Sequence, residues 1–215
     1  MALVLSGIFP AMALAGLTQV LTAGRIDWSA GTIQATGVAT PAVDDRSASP
    51  ASPAKVVDAA RRSAQANLVA TLSAICIGDG TRVADRAGRD AAFYEGLVSL
   101  AQKAPVTHQA YLSDGTVEIE LTMNMSGGFN QFVLPEEIRQ IDSVTTIAPV
   151  TVPGDVATAQ PYTGLVIDAG GLDARPCMVP VVVDENDAAV YGPAFVSREF
   201  AVSLGMSGFA TTVAA

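Results

Sequence analysis

Between Thr116 and Met125 the chain alternates without a break. Val117, Ile119, Leu121, Met123 and Met125 take one parity, and Thr116, Glu118, Glu120, Thr122 and Asn124 take the other. Successive side chains of a strand point to opposite faces, so this pattern demands a strand with one buried face and one wet face. The preceding run Val106–Leu112 reaches it through Ser113-Asp114-Gly115, a hairpin turn signal. Glu118 and Glu120 therefore share the wet face, where a solvated pair is favoured over a catalytic one.

Residues 54–76 supply an element able to cover the apolar face. Val57, Ala60, Ala64, Leu68, Leu72 and Ile75 recur at spacings of three and four, which places them on one helical stripe. Arg61, Arg62, Gln65 and Asn67 lie largely on the other side. Ser52 or Pro53 opens this helix and Gly78 closes it. Its many alanines allow close packing on a sheet. A second helix is predicted over 89–103, with Phe93, Leu97 and Leu100 on one face and Pro105 ending it. Residues 25–40 read as a strand. Residues 41–53, rich in Pro, Ala and Ser, read as a loop. Asp79-Gly80 followed by Thr81-Arg82-Val83 gives turn and strand signals over 79–88.

The second half is less regular. Residues 135–142 read as a short helical turn with Pro135 first and Glu136-Glu137 set against its dipole. Residues 143–161 read as a strand and a loop. Leu165-Val166-Ile167 reads as a short buried strand, and Cys177–Val183 as another, interrupted by Pro180. Asp184–Asp187 turns the chain and Ala188–Tyr191 returns it. Ser197–Leu204 reads as a short helix, and Gly205–Thr212 as a strand.

Met1 to Gly24 contain no charged residue. Pro10 interrupts the apolar run, and small residues follow it. This suits the core of a secretory signal better than a continuous span of about 20 apolar residues. Ala13-Leu14-Ala15 offers a small-x-small cleavage site ending at Ala15, and Leu21-Thr22-Ala23 a weaker one ending at Ala23. A retained membrane anchor over residues 3–23, or an ordinary buried segment, are the other readings. A basic start is missing, since the first Arg is Arg25. Leu14-Ala15-Gly16-Leu17 has the form of a lipobox with Leu17 in place of the lipidated Cys. Export would permit a disulfide between Cys76 and Cys177, and Cys76 serves equally well as a small core residue.

Composition narrows the function. Twelve Lys and Arg against 21 Asp and Glu give a net charge of −9, with 15% charged and 50% hydrophobic residues. Such a chain is too acidic for a nucleic-acid footprint and too apolar for disorder. One His and two Cys argue against a His/Cys metal site, and no cofactor is expected. Gly164–Gly171 lacks the Lys of a phosphate loop and the dinucleotide glycine pattern, and reads as a strand ending in Asp168 and a glycine turn. A calcium loop starting at Asp184 would need Gly and Glu where Ala189 and Phe195 stand. His108 would have to serve any Ser-His-Asp triad, yet Ser207 makes no nucleophile elbow, so an edge-strand position suits His108 better. No His partner is visible for either Cys. Trp28, Phe129, Phe132, Tyr162, Tyr191 and Phe195 read as core or interface packing.

The order of pieces carries a resemblance. It runs from the export signal through Arg25–Ala39, a Pro-rich gap and the Ala/Arg-rich helix Ala59–Leu68. It continues with Thr163-Gly-Leu-Val-Ile-Asp-Ala169, Arg175-Pro176, Val190-Tyr191-Gly192 and Gly205-Met-Ser-Gly-Phe209. From Arg25 onward the chain resembles the bacterial LPP-twenty-like envelope lipoproteins, related to the N-terminal part of flagellar assembly protein T. The resemblance implies a periplasmic or outer-membrane-associated α+β protein without known catalysis. The family carries an Asp-Ala-Tyr segment where this chain has Gln65-Ala66-Asn67, and an Arg where it has Gly170.

The expectation is an exported α+β protein with a signal or anchor over 1–23. An α+β domain over 25–150 would have a mixed or antiparallel sheet, built from 30–40, 80–87 and 106–126, under two helices. A β-rich unit over 160–215 would come next, as a separate unit or as part of the same domain. Its role would be structural or in assembly, flagellar or outer-membrane, through contacts with envelope proteins or with itself. Trp28, Asp168, Arg175 and Tyr191 are the candidate contact or structural residues. The rival is a periplasmic enzyme or ligand-binding protein using Asp168, Asp173 or Asp184.

Overall fold

The computed structural model describes residues 16–41, 43–44, 49–50, 52–138 and 165–211. Strands β1 (Thr18–Val20), β2 (Arg25–Asp27) and β3 (Thr32–Ala39) lead into a minimal hairpin of β4 (Val43–Asp44) and β5 (Ser49–Pro50). Helix α1 (Pro53–Ser73) comes next, then a second small hairpin, β6 (Cys76–Gly78) with β7 (Thr81–Arg82), then α2 (Val83–Ala87) and α3 (Ala91–Lys103). After these stand β8 (Val106–Tyr111), β9 (Val117–Asn124) and α4 (Gly128–Val133). The described C-terminal part holds β10 (Val182–Val183), β11 (Ala189–Tyr191), a 3₁₀ turn at Pro193–Phe195 and α5 (Arg198–Leu204).

One five-stranded antiparallel sheet, in the order β1-β2-β3-β9-β8, organises this α+β fold. The alternation of β9 sets its faces. Val117, Ile119 and Leu121 are buried beside Ile33 and Ala35 of β3. Gln34, Thr36, Glu118, Glu120 and Thr122 fall on the other face and are half-buried. Glu118 and Glu120 thus share a face, and His108 sits exposed on edge strand β8 opposite Glu120.

Helix α1 covers the apolar face. Ser52 is its extended N-cap and Pro53 fills the first position, where a missing N–H costs nothing. Val56, Ala60, Ala64, Leu68 and Leu72, four residues apart, are all buried. Small residues let the backbones meet: a Cβ on Gly37 would lie 2.0 Å from the Ala64 amide nitrogen. Asn67 reaches back from the polar side of α1, its Nδ2 donating to the Thr36 carbonyl at 2.7 Å. Helix α3 starts at Asp90, whose carboxylate accepts the Phe93 amide at 3.0 Å, and it buries Phe93, Leu97 and Ala101. The Phe93 ring stacks on Phe132 of α4 at 4.6 Å, with the Arg86 guanidinium 4.3 Å from the Phe93 ring centre.

Several expectations are corrected. Residues 25–40 form two strands, because Trp28–Gly31 make a turn, with Gly31 at φ +63°. Residues 80–87 do not join the main sheet; β7 pairs only with β6 and the rest forms α2. Helix α1 ends at Ser73, so Cys76 lies in a strand beyond it. The expected helix over 135–142 is a turn at Glu136–Glu137 as far as Ile138, and Phe129–Val133 are helical instead. The remainder of that stretch and the strand expected in 143–161 lie outside the described residues. Leu165-Val166-Ile167 is neither a strand nor buried. Of Cys177–Val183 only Val182–Val183 is a strand, and no strand occurs in Gly205–Thr211. The C-terminal unit is therefore not β-rich among its described residues; only the β10–β11 hairpin forms there. Asp184–Asp187 does turn that hairpin, and Ser197 caps α5 by accepting the Phe200 amide.

Residues 1–15 of the expected signal or anchor, with Ala15, lie outside the described residues. The segment from Gly16 to Gly24 is built into the sheet. β1 pairs with β2, the Leu17 carbonyl accepts the Trp28 amide at 2.9 Å, and Leu17 and Leu21 pack against the core. Cleavage after Ala23 would remove β1, whereas cleavage after Ala15 would leave it whole. A membrane span reaching residue 23 would likewise take β1 out of the sheet. Among the described residues no helix is long and apolar enough to cross a membrane.

Candidate functional site

A groove of about 390 Å³ opens at one end of the sheet. One side is the β2–β3 turn from Trp28 to Gly31 and the end of β9 from Asn124 to Ser126; the other is the C-terminal stretch from Ser203 to Phe209. The turn exists because Asp27 accepts the Ala30 amide at 2.8 Å and Gly31 takes the left-handed conformation. The Met125 amide then donates to the Gly31 carbonyl at 2.8 Å, which fixes the end of β9 beside that turn.

Trp28 anchors the C-terminal stretch. It is 5% exposed, its Nε1 donates to the Gln19 side chain at 3.2 Å, and its ring meets Phe209 edge-to-face at 5.4 Å. The Ser29 hydroxyl accepts the Leu17 amide at 2.8 Å and donates to the Phe209 carbonyl at 2.7 Å. Trp28 and Ser29 thus join the first described strand to the far end of the chain. Tyr191, half-buried, donates its hydroxyl to the Met206 carbonyl, and burial raises its phenol above the ordinary range.

A second weld holds α5 to α4. Asn130, buried, donates its side-chain amide to the carbonyls of Ala201 at 3.2 Å and Val202 at 3.4 Å. The Gly127 amide donates to the Val202 carbonyl at 2.8 Å. Arg198 donates to the carbonyls of Pro135 at 2.8 Å and Gln131 at 3.1 Å. The Ala201 carbonyl also accepts the Gly205 amide, so the Asn130 side chain adds a second donor there and ties the end of α5 to α4.

The described residues lining the groove include no Asp, Glu, Lys, Arg or His. Among the described lining residues, Ser29, Ser126, Ser203 and Ser207 therefore have no carboxylate or imidazole beside them. Burial, and next the neighbouring Cys76, push the Cys177 thiol up; the Val179 amide opposes this and Asp79 adds to it. The groove is neutral, with aromatic, thioether and hydroxyl groups. The described lining, which also includes the Cys177 thiol, suits packing against an uncharged surface or ligand.

The structure separates the candidates drawn from the sequence. Trp28 lines the groove and Tyr191 supports its wall. Asp168 is exposed and accepts the Gly170 amide at 2.8 Å, and Asp173 and Arg175 are exposed. Asp184 accepts the amides of Asn186 at 2.8 Å and Ala188 at 2.9 Å, which hold its carboxyl below the ordinary range. None of these four lines the groove. Among the described residues no three His, Cys, Asp or Glu side chains gather as a metal site would require. Cys76 and Cys177 are free and half-buried. Sequence reasoning did not single out Asn130 or Arg198. The available signal was the polar pair Asn130-Gln131 set among the apolar residues Phe129, Phe132, Val133 and Leu134.

A family model described as Treponema pallidum Tp0624, second domain, matches residues 164–215. This stretch includes the β10–β11 hairpin, α5 and the Phe209 side of the groove. No curated protein and no solved structure matches the chain.

Proposed function

We propose that this chain is an exported, non-enzymatic component of a bacterial cell envelope, periplasmic or outer-membrane-associated. It works in assembly, through contacts with envelope proteins or with copies of itself, and a flagellar setting comes from the resemblance to the LPP-twenty-like lipoproteins. The observation that carries this reading is the run Leu165, Val166 and Ile167, respectively 71, 76 and 58% exposed, with Leu172 at 69%. Exposure of three apolar residues in a row leaves this segment uncovered by the described fold. A continuous apolar triple is the composition of a strand covered on both faces. Contiguous exposed apolar residues mark interaction surfaces on soluble proteins. The matched family model begins one residue earlier, so the run belongs to the stretch shared with that domain.

The alternative, a periplasmic enzyme or ligand-binding protein built on carboxylates near Asp168, draws no support from this geometry. Asp168 and Asp184 are each engaged by amides of their own turns.

The test places a photo-reactive residue at Val166 and, as a control, at the exposed Glu95. Irradiation of intact cells should give a discrete adduct from position 166 and none from 95. Val166→Asp should abolish association while changing stability by no more than about 0.5 kcal/mol, as surface substitutions do. Equal labelling from both positions, or none from either in exported protein, would overturn the proposal.

A further inference from the structure

The chain's two cysteines lie on opposite sides of a seam between its two halves. Cys76 begins β6, directly after α1, and Cys177 lies in the C-terminal stretch that matches the family model. Main-chain hydrogen bonds join the two segments: the Met178 amide donates to the Cys76 carbonyl at 3.0 Å, and the Val179 amide to the Ile77 carbonyl at 2.7 Å. The approach is close enough that a Cβ on Gly78 would lie 2.9 Å from the Val179 carbonyl oxygen. The Met178–Cys76 bond limits the separation of the two cysteine α-carbons to about 8 Å when fully stretched, a reach that includes the roughly 4.4–6.8 Å that disulfides span. Each thiol is half-buried.

We infer that Cys76 and Cys177 are each other's disulfide partners, and that the bond fastens the C-terminal unit to the α1–β6 half of the fold. No other cysteine competes for either. The oxidant is a disulfide-bearing thiol oxidant of an oxidising compartment; only this choice of compartment rests on the proposed export. One cysteine thiolate attacks a sulfur of the oxidant's disulfide and expels the first oxidant thiolate, leaving a mixed disulfide. The second cysteine thiolate attacks the protein sulfur of that bond and expels the second oxidant thiolate. The protein loses two protons and two electrons, and the oxidant becomes a dithiol. The bond closes a loop of about 100 residues, so its main effect is to restrict the unfolded chain.

The experiment incubates the purified chain in glutathione buffers, one mostly oxidised and one mostly reduced. Oxidation should lower the intact mass by about 2 Da without dimer formation, and digestion should yield one linked pair of peptides carrying Cys76 and Cys177. The oxidised form should melt roughly 5–15 °C higher than the reduced form. Cys76→Ser and Cys177→Ser should each abolish that difference between the two buffers while folding in both. Two free thiols after oxidation, glutathione adducts alone, or an intermolecular dimer would overturn the pairing. Protein that closes the bond in vitro but is recovered reduced from cells would leave the pairing supported and would count against export instead.

Discussion

Replacing Gly37 with alanine tests the packing on which the whole sheet–helix layer depends. The added methyl would lie 2.0 Å from the Ala64 nitrogen, 2.4 Å from the Ala60 carbonyl oxygen and 2.6 Å from the Ala64 α-carbon. Carbon contacts become comfortable only near 3.5 Å. All three obstacles are main chain of α1, so no rotamer change relieves them. The helix must lift from β3 by roughly 1 Å or more. That shift would loosen Ala60, Ala64, Leu68 and Leu72, all fully buried. Overpacked cores lose about 1–3 kcal/mol, occasionally more, and a displacement confined to backbone belongs at the upper end. A cost of about 3 kcal/mol would lower Tm by roughly 6–12 °C for a chain of this length. Gly128→Ala is the control, because nothing lies within 4 Å of its added methyl. Thermal and urea unfolding followed by circular dichroism would read both variants. A Gly37→Ala protein melting with the parent would refute the close approach of α1 to β3.

Asn130→Leu should remove both side-chain bonds to α5, with the Gly205 and Gly127 amides still pairing the Ala201 and Val202 carbonyls, at a cost of about 0.5–1.5 kcal/mol per bond lost. Amide exchange should then rise over Arg198–Leu204 before it rises in β9; unchanged protection of α5 would contradict the weld. The lowered Asp184 carboxyl adds stability that is present above the ordinary Asp value of about 3.9 and is lost as pH falls through its lower folded value. A carboxyl-detected NMR titration should place Asp184 below that ordinary value, and Asp184→Asn should remove the contribution. Titration at or above the ordinary value would show that the Asn186 and Ala188 amides do not hold it.

The elements legible in the sequence were those long enough to show a period. Helix α1, helix α3 and the hairpin β8–β9 each repeat their pattern several times, and α5 has a serine cap ahead of its apolar residues. Strand β1 was hidden because three residues cannot display a period inside an uncharged stretch that also suits a signal. The six residues of α4 were too few for a helical stripe. Leu165–Ile167 misled for a different reason. Apolar, mostly β-branched residues favour a strand only where a neighbour completes the ladder, and no described segment pairs with them. At the groove, Trp28 stood out as the single tryptophan. Its partner Phe209, the Asn130 amide and the Arg198 guanidinium act through contacts between residues 63 to 181 positions apart. No local pattern announces such contacts.

Export and contact-driven assembly form the central claim, and cell fractionation with intact-mass analysis tests it most directly. The account predicts a product beginning at Gly16, with β1 whole, in the periplasmic or outer-membrane fraction. An unprocessed product confined to the cytoplasm would contradict it.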